Sequence, residues 1–175
     1  MKSSNDLVRS LFRSSDFRHV LTGFLVTGLI LVYLFQLWDL NPRVPIVYAG
    51  DGLLSLMSFQ NMKEGFWYLK SSHLGFPFSQ DLHDFPAVAD TTNLVFSRFL
   101  ISVTGDISLT FNIQYLSSYF SGFLGAYIGA RIIRLPSAHA LFIGLMFAFL
   151  PFHYLHGANH LYLSSYWMIP IWLAV

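Results

Sequence analysis

The chain has 175 residues, of which 54% are hydrophobic, 18% aromatic and only 11% charged. Soluble domains carry about 25% charged residues, so this composition excludes an ordinary water-soluble domain and predicts a membrane protein whose element lengths the bilayer sets. A net charge of +1 gives no basic footprint for nucleic acid, which is not expected as a partner, and the absence of cysteine excludes a disulfide framework and thiolate chemistry.

Residues 1–18 are polar and basic, with Lys2, Arg9, Arg13 and Arg18 set against Asp6 and Asp16. Val20 to Trp38 then gives 19 uncharged residues. At a rise of about 1.5 Å per residue this run just spans a hydrocarbon core of about 30 Å. A signal peptide is the competing reading, and Val47-Tyr48-Ala49 resembles a cleavage site. The apolar run, however, exceeds the 7–15 residues usual for a signal peptide, and that site lies well past its end. The reading is an uncleaved signal anchor with a first transmembrane helix over 19–38.

The segment 39–106 holds seven acids against four bases and predicts a long extracytoplasmic loop. Within it Leu53 to Leu69 has helical periodicity, with Leu56, Phe59, Met62, Phe66 and Leu69 on one face. Leu53, Met57 and Tyr68 make the other face less than polar, as suits a helix resting on the bilayer interface. Gly75, Pro77 and Pro86 predict irregular loop over 71–92, and Asn93 to Val103 reads as a second short interfacial helix.

Residues 107–130 form an uncharged run and the second predicted span, in which Gly125 and Gly129 make a small-xxx-small spacing for close helix packing. Arg131, Arg134 and Pro136 predict a turn over 131–136, and from Leu135 onward there is no Asp, Glu, Lys or Arg. That stretch divides into a third span over 137–154, a loop over 155–163 and the start of a fourth helix over 164–175. Twelve residues cover only about 18 Å of helix, so the chain is expected to continue in a larger protein. The positive-inside rule puts the basic N-terminus and the Arg131/Arg134 turn in the cytoplasm, and strict alternation of spans then puts 39–106 and 155–163 outside. The expected fold is an all-α polytopic membrane protein.

Three groups in the outer segments carry candidate chemistry. Asp51 lies between Gly50 and Gly52 soon after the first span. A carboxylate there can be a base, a metal ligand or the N-cap of the following helix, although no Glu or Gln at position 54 completes a capping box. Asp81, His83 and Asp84 form an Asp-x-His-Asp cluster whose ligands suit Mg²⁺ or Mn²⁺, or else a solvated turn. His153, His156 and His160 are spaced to share a helical face, as metal ligands or as histidines packed among Tyr154, Tyr162 and Tyr166. Arg98 is a candidate for phosphate contact or a surface cation.

Gly50-Asp51-Gly52, the run Leu74-Gly75-Phe76-Pro77-Phe78-Ser79-Gln80-Asp81-Leu82-His83-Asp84-Phe85-Pro86 and Phe149-Leu150-Pro151-Phe152-His153, in this order relative to the spans, resemble the GT-C glycosyltransferases and a bacterial group of glycosyltransferases and sugar translocases. The resemblance covers essentially the whole chain. It implies a multi-pass enzyme of the bacterial inner membrane that takes a sugar from a polyprenyl-phosphate donor and attaches it to an extracytoplasmic acceptor. In such enzymes an acid of the first outer loop lies at the acceptor, and Asp51 takes that place. A carboxylate can accept the proton of the attacking hydroxyl, while the phosphate leaving group needs cations rather than an acid. Gly50 and Gly52 would then let substrate approach the backbone. Oligosaccharyltransferases of this superfamily use a metal bound by outer-loop acids; here histidines and Asn159 stand in the matching loop. The rival readings are a sugar or lipid-linked-sugar translocase and a non-catalytic membrane scaffold. The acids gather in an outer loop rather than inside a span, which favours chemistry at the membrane surface over transport.

Overall fold

The computed structural model describes residues 14–67, 70–73, 75–81, 91–157 and 159–175. They are mostly helical, in the order α1 (Ser14–Leu34), α2 (Asp51–Lys63), β1 (Lys70–Ser71), β2 (Gln80–Asp81), α3 (Thr91–Thr104), α4 (Ile107–Ile132), α5 (Ser137–Ala148), α6 (Pro151–His156) and α7 (Met168–Ala174). Two stretches, Ser15–Leu34 and Ser137–Leu155, are long and apolar enough to cross a membrane. Only 17% and 22% of their most apolar windows is buried. The residues divide into two compact units: one formed by residues up to Leu40 with Leu116–Leu155 and Ser165–Val175, the other by Asn41–Tyr115 with His156–Ser164.

Helix ends are set by local chemistry that hydropathy does not carry. α1 stops at Leu34, short of the expected 38, because Gln36 takes a positive φ of 48° and Leu37 N–H and Gln36 N–H bond back to Val32 and Tyr33 carbonyls. This left-handed closure satisfies carbonyls that the last turn leaves open. α2 ends at Lys63 rather than the expected Leu69 by the same device, with Gly65 at φ 97° and the Phe66 and Gly65 N–H groups on Asn61 and Met62. Arg134, at φ 67°, closes α4 in the same way. The expected third span 137–154 is two helices, because Pro151 lacks an N–H and cannot continue α5. The expected irregular loop over 71–92 contains β2 of a two-residue antiparallel ladder, with Lys70 opposite Asp81 and Ser71 opposite Gln80.

In the first unit α1 packs against α5. Gly23 and Gly144 both abut Phe123 of α4, which is fully buried: a Cβ at Gly23 would lie 1.9 Å from its ring. Gly125 and Gly129 seat the backbone of Trp167 and Pro170, where added Cβ atoms would meet carbonyl oxygens at 2.1 and 2.5 Å. The small-residue spacing therefore serves close approach of this segment to α4. α1 begins earlier than the expected residue 19 and brings Asp16 into the packed interior. Its Oδ1 accepts from Tyr127 (2.7 Å) and Ser137 (2.9 Å). Arg131 Nε lies 2.8 Å from the same oxygen, too bent for a hydrogen bond, while its NH2 donates to Oδ2 at 3.4 Å. A buried charge pair thus joins α1 to α4, with its acid in the polar segment that precedes the expected first span.

His153 is also buried here. Its Nδ1 lies 2.9 Å from the Tyr166 hydroxyl, which is also 3.2 Å from the Phe147 carbonyl oxygen, and its Nε2 lies 2.7 Å from the Ser118 hydroxyl. Tyr119 stacks on the ring at 3.9 Å.

In the second unit α2 packs on α3 through Leu56, Phe59 and Met62, all buried, and through Leu94, Leu100 and Ile101. Leu53, Leu54 and Met57 on α2, and Val95, Phe99 and Val103 on α3, keep apolar side chains exposed. Asp106, one of the loop acids, caps α4: its Oδ1 accepts from Ser108 N–H (2.9 Å) and Leu109 N–H (3.0 Å).

Candidate functional site

Gly50 sets the position of Asp51. Its backbone, at φ 53° and ψ −140°, lies where an L side chain is disfavoured, and it turns the chain into α2. Gly50 itself occupies the N-cap position and has no side chain to cap with, so the N-cap reading of Asp51 is overturned: Asp51 is the first helical residue. A carboxylate in the first turn still interacts favourably with the helix dipole, by roughly 0.3–1 kcal/mol.

The segment leading into Gly50 is fixed from a distance. Asn112 of α4 accepts Ile46 N–H at 2.8 Å and donates to the Pro42 (2.9 Å) and Val44 (2.8 Å) carbonyls. One buried amide therefore fixes three backbone groups of an otherwise irregular stretch. Asn112 was not singled out from the sequence, where it reads only as a polar interruption of the run 107–130.

The turn that carries His160, by contrast, is held locally. Leu161 is buried, and the His160 carbonyl accepts from Leu163 N–H (2.9 Å) and Ser164 N–H (3.2 Å). This places His160 Nδ1 3.0 Å from Asp51 Oδ2. The two residues were singled out separately, one as a base and one as a metal ligand, and the fold brings them together.

Both line a cleft of about 380 Å³. Asp51, Ser55, Ser58, Gln80, Asn159 and His160 supply polar groups, and α2 and residues 161–163 supply apolar walls. This volume falls in the range of small-ligand sites, about 300–1,000 Å³, and a few polar groups converging on apolar walls is the usual make-up of such sites. The Asp51 and His160 side chains are 59% and 40% exposed, so the pair is open to a ligand.

The other sequence candidates fall elsewhere. Gly50 is exposed, with a built Cβ 3.6 Å from Asn159 Oδ1, whereas Gly52 is buried. Arg98 lies on α3, and its guanidinium donates to the Met62 carbonyl at the end of α2. Asp81 lies on β2, its Oδ2 3.5 Å from Lys70 Nζ. His83, Asp84 and the side chain of His156 lie outside the described residues, and among the described residues no three His, Asp or Glu side chains come together as a metal site. The shared helical face expected for His153, His156 and His160 does not form. α6 ends at His156, His160 lies in the following turn, and His153 is enclosed by Ser118, Tyr119 and Tyr166. Glu64, just past α2, accepts from Gln60 and from His73 (2.6 Å each), which holds its carboxyl below the usual carboxylate range.

No family model matches this chain, and no curated protein and no solved structure matches it.

Proposed function

We propose that this chain is part of a multi-pass membrane glycosyltransferase of the GT-C kind. It transfers a sugar from a polyprenyl-phosphate donor to an acceptor hydroxyl at the extracytoplasmic face of a bacterial inner membrane, with Asp51 at the acceptor. The observation that carries this reading is the exposed Asp51–His160 pair at a cleft, with Asp51 between the two apolar stretches in sequence and His160 just after the second. A carboxylate–imidazole pair beside hydroxyl and amide side chains is suited to bind a polyol and take its proton. The exposed apolar faces of α2 and α3 support a resting place at the bilayer interface, where a lipid-linked donor is presented. Arg98, and Mg²⁺ or Mn²⁺ at Asp81, His83, Asp84, His156 or His160, stay as candidates for the phosphate.

A second reading, a translocase of lipid-linked sugar, draws on the break in the second apolar stretch at Pro151, since broken helices are common in transporters. The two readings separate in liposomes carrying the full-length protein and a radiolabelled polyprenyl-phosphate hexose. Transfer yields label covalently attached to an acceptor and free polyprenyl phosphate. Translocation moves intact donor between leaflets with no new covalent product, and that result would replace the first reading with the second.

A further inference from the structure

We propose that the β1–β2 hairpin dips into the lipid bilayer, with Phe76 and Phe78 at its tip buried among acyl chains just below the headgroups. This goes beyond the transferase reading and does not depend on it.

The pattern begins in the sequence. Residues 71–80 contain no Asp, Glu, Lys or Arg, and Gly75-Phe76-Pro77-Phe78 lies within them. The flanking charges, Lys70 and Asp81, face each other across the ladder with Nζ 3.5 Å from Oδ2. The hairpin therefore has an ion pair at its base, the Ser72 and Ser79 hydroxyls beyond it and two aromatic rings at its far end. That order follows the passage from water through headgroups to hydrocarbon, with phenylalanine on the apolar side as in other interfacial elements.

The base is held and the tip closes on itself. Asn61 of α2 is buried and donates to the Trp67 (3.3 Å) and Lys70 (3.5 Å) carbonyls, and His73 packs edge-on against Phe66 at 5.1 Å. At the other end Phe78 N–H closes a turn on the Gly75 carbonyl at 2.9 Å. Only glycine fits at the start of that turn: Gly75 has φ 82°, and an added Cβ would lie 2.8 Å from the Gln80 nitrogen. Residues 75–79 are all exposed, Phe76 at 97% and Phe78 at 81%. A lone exposed apolar residue is ordinary, but two nearly bare phenylalanines on one closed turn mark an interaction surface.

Three features identify the occupant as lipid. Five consecutive exposed residues make a protrusion, which a fluid bilayer accommodates without a matching pocket. Hydrocarbon penalises open backbone donors, and here Pro77 has no N–H while that of Phe78 is bonded within the turn. The hairpin also lies in sequence between the two stretches that can cross a membrane, and α2 and α3 of the same unit leave further apolar side chains exposed.

The 175 residues contain no cysteine, so one placed at 76, 78 or 72 is the sole labelling point among them. Full-length protein, with any cysteine outside these residues changed to serine, is labelled with nitrobenzoxadiazole at Phe76→Cys, Phe78→Cys or Ser72→Cys. It is then reconstituted in phosphatidylcholine–phosphatidylglycerol liposomes. Labels at 76 and 78 should emit at shorter wavelength than the label at 72, and should lose most of that emission when the lipids carry a nitroxide on the upper acyl chain. Water-like emission at 76 and 78 would overturn the proposal. Short-wavelength emission that the nitroxide leaves unquenched would overturn it too, because a protein surface would then cover the tip.

A second measurement keeps an aromatic ring in place. With Phe76 replaced by p-benzoylphenylalanine, irradiation in liposomes should attach radiolabelled phospholipid to the protein. Attachment to another polypeptide instead, or no attachment at all, would refute insertion.

Discussion

Removing the Asp16 carboxylate should destabilise the first unit far more than its place in a basic, outwardly unremarkable N-terminal segment suggests. The side chain is 3% exposed and its partner Arg131 14%. Asp16→Ala would leave the Tyr127 and Ser137 hydroxyls without their acceptor and Arg131 with an uncompensated buried charge. Breaking a buried pair from one side costs about 3–5 kcal/mol, whereas replacing both partners with apolar groups of similar volume is often close to neutral. Asp16→Leu combined with Arg131→Met should therefore recover much of the loss, less about 1 kcal/mol for each hydroxyl still unpaired. The assay is reversible denaturation in mixed detergent micelles, comparing wild type, Asp16→Ala and the double variant. A loss below about 1 kcal/mol in Asp16→Ala would mean that the pair behaves as a hydrated surface ion pair, and the reasoning from burial would fail.

Three further outcomes follow from the packing and the charge pattern. Gly125→Ala should destabilise by roughly 1–3 kcal/mol, because its Cβ would strike the Trp167 carbonyl at 2.1 Å. Gly122→Ala in the same helix, with nothing closer than 3.8 Å, should instead stabilise by up to about 1 kcal/mol through helix propensity; equal effects in the denaturation assay would refute the packing. Asn112→Ala should speed hydrogen exchange at Ile46 by about tenfold or more, since each hydrogen bond contributes about 1 kcal/mol, and unchanged protection there would deny its hold on 42–46. In intact cells, Ser72→Cys and Asn159→Cys should be labelled by an impermeant thiol reagent and Ser4→Cys should not; labelling at Ser4 alone would invert the proposed orientation.

Much of this architecture was legible because helix-forming hydrophobic runs leave a strong trace. The apolar runs starting at Val20, Ile107 and Ser137 each lie within or open a helix, and the α2 face of Leu56, Phe59 and Met62 is the buried one. What escaped depends on single residues or on distant partners. Gln36 and Arg134 close helices in a conformation that their side chains do not announce, although Gly65 offered a readable stop signal for α2. Asp16 lies in the polar, basic segment expected to be cytoplasmic, and nothing local marks its pairing with Tyr127, Arg131 and Ser137, 111 to 121 residues away. The site itself was half readable. Asp51 and His160 were each picked out by residue type and position, but helical spacing grouped His160 with His153 and His156. Only the turn after α6 shows that its partner is Asp51, on another element.

The most direct test of the central claim is the rate of glycosyl transfer by the full-length protein carrying Asp51→Asn. The change keeps the size of the side chain and removes its charge, and Asp51 fills no cap position that the variant would vacate. Initial rates should be measured in liposomes loaded with a polyprenyl-phosphate hexose and an acceptor that the wild-type protein uses, at matched protein insertion. Insertion should be normal and the transfer rate should fall by roughly 10²–10⁴-fold, a loss that added Mn²⁺ or Mg²⁺ does not restore. Near-wild-type transfer by well-inserted Asp51→Asn protein would contradict it and would return the carboxylate to a structural role at the start of α2.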